Sequence, residues 1–140
     1  MICIIRIKGN IGINKNIDET LNRLRLRRKY SCVVLKPKKE NLGMIKKIKN
    51  FAAFGEINNG VFEKLIEKRG QLIDKNKKTD AKKAVEGINK GKNYEDFNLK
   101  PFFRLHPPRG GIDSKIHFGK KKGVLGNHGE KINELVERML

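Results

Sequence analysis

The chain has no tryptophan, and its two tyrosines and seven phenylalanines bring aromatics to only 6% of 140 residues, so a core must be built from Ile, Leu and Val. Cysteine is as scarce. Cys3 and Cys32 each sit in an apolar run, and neither has a second Cys or His at ligand spacing. That pattern speaks for buried, reduced thiols and against a metal site or disulfide framework. Long hydrophobic runs are missing too. The first, residues 1–5, is broken by Arg6 and Lys8, which is too short for a signal segment or a bilayer span. A cytoplasmic protein with no membrane partner is expected. Acidic residues number only 15 and are scattered, no phosphate-cradling Walker loop occurs, and His106, His117 and His128 lie among glycines and prolines with no acid at motif spacing. No catalytic residue, cofactor site or metal site is expected from such a pattern.

What is abundant is positive charge. Lys and Arg total 33, giving a formal net charge of +18 and an isoelectric point near 10.1. The excess is not a tail: residues 1–58 hold 14 basic against 4 acidic residues, and residues 59–140 hold 19 against 11. A folded chain that is basic throughout needs an anionic partner, and nucleic acid is the first candidate.

Periodicity divides the chain at about residue 58. Residues 2–8 read as a strand with Ile5 and Ile7 on one face and Ile4, Arg6 and Lys8 on a wet one. Asn16 and Glu19 have capping-box spacing, and Ile17, Leu21, Leu24 and Arg28 follow at helical intervals to about Lys29. Residues 31–36 form a second strand stopped by Pro37. Leu42, Ile45, Ile48 and Ala52 then mark an amphipathic helix over 41–52 with Lys46, Lys47 and Lys49 on another side. A short strand at 54–57 completes β-α-β-α-β, a small sheet with both helices on one face in a two-layer α+β unit. Residues 59–140 read as a C-terminal extension. It begins with a helix at 59–70 closed by Gly70, followed by a variable helical segment at 75–98 that Gly87 weakens. Pro- and Gly-rich basic loops fill 99–128, and a helix at 129–140 carries Ile132, Leu135, Val136 and Met139 on its apolar stripe.

Arg23, Arg25, Arg27, Arg28 and Lys29 crowd one short segment, with too few acids nearby to pair them. Arginine favours bidentate phosphate contact, so Arg23, Arg27 and Arg28 are candidates for RNA or DNA backbone, with Lys46, Lys47 and Lys49 beside them. Residues 100–111 mix Phe102, Phe103, Arg104, His106 and Arg109 with conformationally restrained Pro and Gly. Arg104, His106 and Arg109 are the binding candidates there, and either phenylalanine is a loop anchor before it is a base-stacking platform. Lys120, Lys121 and Lys122 add a basic loop. The neighbouring Gly123-Val-Leu-Gly126 has the spacing of the backbone-clamping loop of KH domains but lacks the flanking helices that module requires.

Several of these runs, in order, resemble the large-subunit ribosomal protein L-thirty family. They are residues 24–34 (LRLRRKYSCVV), 43–50 (GMIKKIKN), 54–57 (FGEI), 65–70 (LIEKRG), 103–110 (FRLHPPRG) and 129–139 (GEKINELVERM). The C-terminal half is similar to the archaeal form, called L-seven in eukaryotes, and the long basic N-terminal extension of eukaryotic members is lacking. The resemblance implies a ferredoxin-like βαβαβ core with an antiparallel three-stranded sheet in the order 3-1-2. It implies one copy per ribosome, bound without catalysis to large-subunit rRNA in the 5S rRNA neighbourhood and among neighbouring large-subunit proteins. Residues 74–99 and the stretch after Pro108 are shorter than that family leads one to expect. Charge alone equally allows a free-standing basic nucleic-acid-binding protein.

Overall fold

The computed structural model describes residues 1–9, 12–108, 114–117 and 123–140. Strand β1 (Ile2–Arg6), helix α1 (Lys15–Arg23), β2 (Ser31–Leu35), α2 (Lys39–Ile48) and β3 (Ala52–Glu56) follow in the order the periodicity predicts. β1 lies between β2 and β3 and is antiparallel to both, with Ile4 opposite Val33 on one side and Phe54 on the other. This is the ferredoxin-like order 3-1-2. The sheet extends beyond that core. Counting described residues, it has six strands in the order β4-β2-β1-β3-β6-β5, with β4 at Phe103–Arg104, β5 at Ser114–His117 and β6 at Gly123–Asn127. Residues 99–126, expected to be irregular, therefore supply three strands, and Gly123–Gly126 belongs to one of them.

Two apolar layers form on the two faces of β1. Ile4, Val33 and Ala52 pack with Leu21, Leu24, Ile45 and Ile48 of the α1–α2 side. Cys3, Ile5, Cys32, Val34 and Ala53 pack on the opposite face under α3 (Asn59–Arg69), α4 (Ala81–Asn89) and α5 (Ile132–Met139). The wet face expected for β1 is therefore absent: Arg6, on the Ile4 side, is 1% exposed. Cys3 and Cys32 are free, buried thiols with their Sγ atoms 3.3 Å apart, and burial pushes the Cys32 thiol well above its ordinary pKa.

Close approaches fix how α4 and α5 seat. A Cβ at Gly55 in β3 would stand 2.3 Å from the Gly129 carbonyl and 2.8 Å from Ile132 Cβ, so only glycine lets α5 start against the sheet. Gly87 serves the same purpose for the Phe97 ring, which a Cβ there would meet at 2.0 Å. The Asn133 side chain accepts from Asn58 N–H at 2.9 Å and donates to the Glu56 carbonyl at 3.2 Å, tying α5 to the entry of α3. α3 ends at Gly70, as its sequence predicts, but with φ near −61°. Glycine is needed there because a Cβ would lie 2.4 Å from the Ile66 carbonyl.

Candidate nucleic-acid interface

The basic run that follows α1 is a turn and not a helix. α1 is capped by Asn14, whose side chain accepts from Asn16 N–H, and it stops at Arg23, six residues earlier than periodicity predicts. Leu26 N–H reaches back to the Leu21 carbonyl at 2.8 Å and Arg25 N–H to the Asn22 carbonyl at 3.0 Å. Those are the two bonds of a Schellman motif, whose left-handed position is usually glycine. Here Arg25 occupies it, with φ of 63°. Leu21 and Leu26 bury together beneath the turn. Arg25, Arg27, Arg28 and Lys29 are left exposed between and beyond the buried Leu24 and Leu26.

Buried Arg6 fastens this turn from below. Its Nη1 donates to the Leu26 carbonyl at 2.7 Å and its Nε to the Lys8 carbonyl at 2.9 Å, and its own carbonyl accepts from Tyr30 N–H at 2.7 Å. Burial lowers the Arg6 pKa and the charge of Asp18 opposes that shift; a guanidinium starts so high that it remains charged.

Strand β4 carries the second piece. Arg104 lies opposite Ser31, and Leu105 N–H donates to the Tyr30 carbonyl at 3.0 Å, so Arg104 stands at the edge of the sheet beside the end of the turn. Its guanidinium sits 5.7 Å from the Phe102 ring centroid, and Lys29 Nζ sits 5.1 Å from that of Tyr30. Phe103 is fully buried and meets Tyr94 edge-on at 6.1 Å, so it is a core anchor and not a stacking platform.

The other candidates divide. Lys46, Lys47 and Lys49 are exposed on and just after α2. Lys47 shares a groove with Arg23 and Thr20 of α1. Arg23 is held by Glu19 at 2.7 Å. An exposed i,i+4 pair of this kind is worth about 0.3–0.5 kcal/mol, too little to withhold Arg23 from a phosphate. His106 stands apart: its ring nitrogens face the Pro107 and Leu140 carbonyls, and its backbone N–H donates to the Met139 carbonyl at 3.1 Å, pinning β4 to the end of α5. Arg109, Lys120, Lys121 and Lys122 lie outside the described residues. Lys36, Lys38 and Lys92, which no sequence motif singles out, share a cleft with Arg25; the basic run Lys36-Pro-Lys-Lys39 is the one signal for the first two. Among the described residues no group of three His, Cys, Asp or Glu side chains is placed to hold a metal ion, and no helix is long and apolar enough to cross a membrane.

A ferredoxin-like core with its second sheet face covered by helices, and a pinned, arginine-rich turn at its edge, defines the class: a small α+β protein that presents cations from a rigid frame. The family described as Ribosomal protein L30p/L7e matches residues 2–51. Large ribosomal subunit protein uL30 from Archaeoglobus fulgidus is 39% identical over 155 residues, covering 99% of this chain and 99% of that protein. The same-named proteins of Methanobrevibacter smithii and Aeropyrum pernix are 37% and 36% identical, covering all of this chain and 98% of it, and 100% and 97% of their own lengths. The chain belongs to the uL30 family, which is structural and non-enzymatic, and its relatives named above are archaeal.

Proposed function

We propose that this protein is a structural constituent of the large subunit of the cytoplasmic ribosome. It binds large-subunit rRNA near the 5S rRNA, in one copy and among neighbouring large-subunit proteins. The observation that carries this reading is the turn after α1: four exposed cations, Arg25, Arg27, Arg28 and Lys29, held rigid by a Schellman motif and by Arg6. Preorganised cations contact a phosphate backbone without first losing conformational freedom, which suits positioning of folded RNA. Arg104 extends that surface along the sheet edge. Arg23, Lys46, Lys47 and Lys49 offer a second contact on the helical side, and Arg109 and Lys120 to Lys122 are assigned to RNA on charge alone. His106 joins them through the position it gives β4. Residues 1–58 form the RNA-binding core in this reading, and residues 59–140 the extension that closes its other face.

Sedimentation of the endogenous protein tests this. Stoichiometric retention on large subunits through a high-salt wash is expected, with loss of retention when Arg27, Arg28 and Arg104 are all replaced by Ala. A protein spread over DNA and free fractions would overturn the reading in favour of a general nucleic-acid binder.

A further inference from the structure

β4 runs beside only Ser31 and Cys32, so among the described residues no strand lies against the outer edge of β2 from Val33 to Leu35. The carbonyl of Val34 on that edge accepts from the Tyr94 hydroxyl at 2.6 Å. In an antiparallel strand the N–H of a residue leaves on the same side as its carbonyl, so the Val34 N–H points outward there as well.

A cleft of about 400 Å³ opens along this edge, between the turn after α1, the start of α2 and the segment joining α4 to Tyr94. Buried Leu24, Val34 and Ile88 and half-buried Met44 floor it. Its rim carries Arg23, Arg25, Lys36, Lys38 and Lys92 against one acid, Glu40. Two left-handed residues line it: Arg25, and Gly91 at φ of 104°, where a Cβ would come within 2.8 Å of Lys36 Nζ.

A cationic rim around a small apolar patch, Met44 with the edges of Leu24, Val34 and Ile88, fits a ligand that is anionic and carries one apolar group. The volume is that of a small-molecule pocket, about 300–1,000 Å³, and has no room for a paired helix. A peptide strand added to β2 is disfavoured, because the Tyr94 hydroxyl already occupies the carbonyl such a strand would bond. We infer that the cleft receives one unstacked nucleotide of the bound RNA, its base over Leu24 and Met44 within reach of the Val34 N–H, and its phosphates on Arg25, Lys36 and Lys92. This rests on the RNA-binding reading above and adds a preference for unpaired over paired RNA.

The test uses the full chain and two RNAs of nearly equal charge: a duplex with a single bulged 2-aminopurine, and the same duplex fully paired. Burial of part of one base against Leu24 and Met44 sets the expected preference for the bulge at about tenfold, with a change in 2-aminopurine emission on binding. Met44→Trp, which fills the floor and leaves every charge in place, is expected to abolish the preference while affinity for the paired duplex holds. The pair Lys36→Gln and Lys92→Gln, on the rim, is expected to reduce it without a change in melting temperature, so a poorly folded Met44→Trp would not decide the matter. Equal binding of the two RNAs by the unaltered protein, or a bulge preference that survives both variants, overturns the inference and leaves the cleft to a protein partner. Failure to bind either RNA would instead sink the RNA-binding reading, and the cleft's role with it.

Discussion

Arg6, on the central strand, holds the Leu26 carbonyl at 2.7 Å, so a buried charge twenty residues away fixes the backbone from which Arg25 and Arg27 project. Replacing Arg6 by Ala leaves the buried Leu26 carbonyl and the partly buried Lys8 carbonyl without this donor. The expected cost is about 2–4 kcal/mol, the range for breaking a buried charged hydrogen-bond set. Urea unfolding measures it. RNA affinity measured on the folded fraction should fall as well, because the turn loses its anchor; an unchanged affinity would separate the anchor from the binding surface.

Arg25 occupies a backbone region that costs an L-residue about 1–2 kcal/mol, and glycine returns about 0.5–1 of that in unfolded-chain entropy. Arg25→Gly should therefore stabilise the fold by about 0.5–1 kcal/mol while weakening RNA binding. The opposite signs are the signature, read from a denaturation midpoint and an RNA titration on the same sample. A variant that gains both stability and affinity would exclude Arg25 from the interface.

The salt dependence of RNA binding counts the phosphates engaged. Arg25, Arg27, Arg28, Lys29 and Arg104 together should cost affinity roughly 2–3 decades between about 50 and 200 mM salt. Each Ala substitution at Arg27, Arg28 or Arg104 should lower the slope of log affinity against log salt by about one. Lys82, exposed on α4 and remote in sequence from the turn, should leave the slope unchanged when replaced.

Gly55→Ala pushes a methyl group into the Gly129 carbonyl and Ile132. Overpacking at such a site costs about 1–3 kcal/mol, and here it should appear as a lower thermal midpoint with RNA affinity per folded molecule unaltered. Loss of affinity in the folded fraction would mean that α5 also positions the basic edge.

The fold was largely legible where one signal dominated. The apolar runs Ile2-Cys-Ile-Ile5 and Ser31-Cys-Val-Val-Leu35 are strands, and Val61, Leu65, Ala84, Val85, Leu135 and Val136 fall on helices as their spacing predicts. The end of α1 was hidden because Arg25 stands where a glycine would have announced a Schellman motif. β4, β5 and β6 were hidden because Pro, Gly and Lys surround them, and pairing of β4 to β2, β6 to β3 and β5 to β6 overrides that local chemistry. Arg6 misled for a related reason: a charge in a strand reads as solvent-facing, and only the path of the turn shows what it binds. The basic segment itself was visible, but its cleft was not, since Arg23, Lys36 and Lys92 converge only after β2 and α4 are in place.

The layer beneath α3, α4 and α5 has a consequence for synthesis. Cys3, Ile5 and Val34 are synthesised early, yet they share a core with Leu125, Ile132, Val136 and Met139. A growing chain therefore carries this sheet face only partly covered, by α3 and α4, until residues 125–139 follow, while the opposite face, served by α1 and α2, can already be closed. The nascent protein should be a client for chaperones, or for RNA arriving at its finished side, until residues 125–140 are made. Closure of that face is timed by α5.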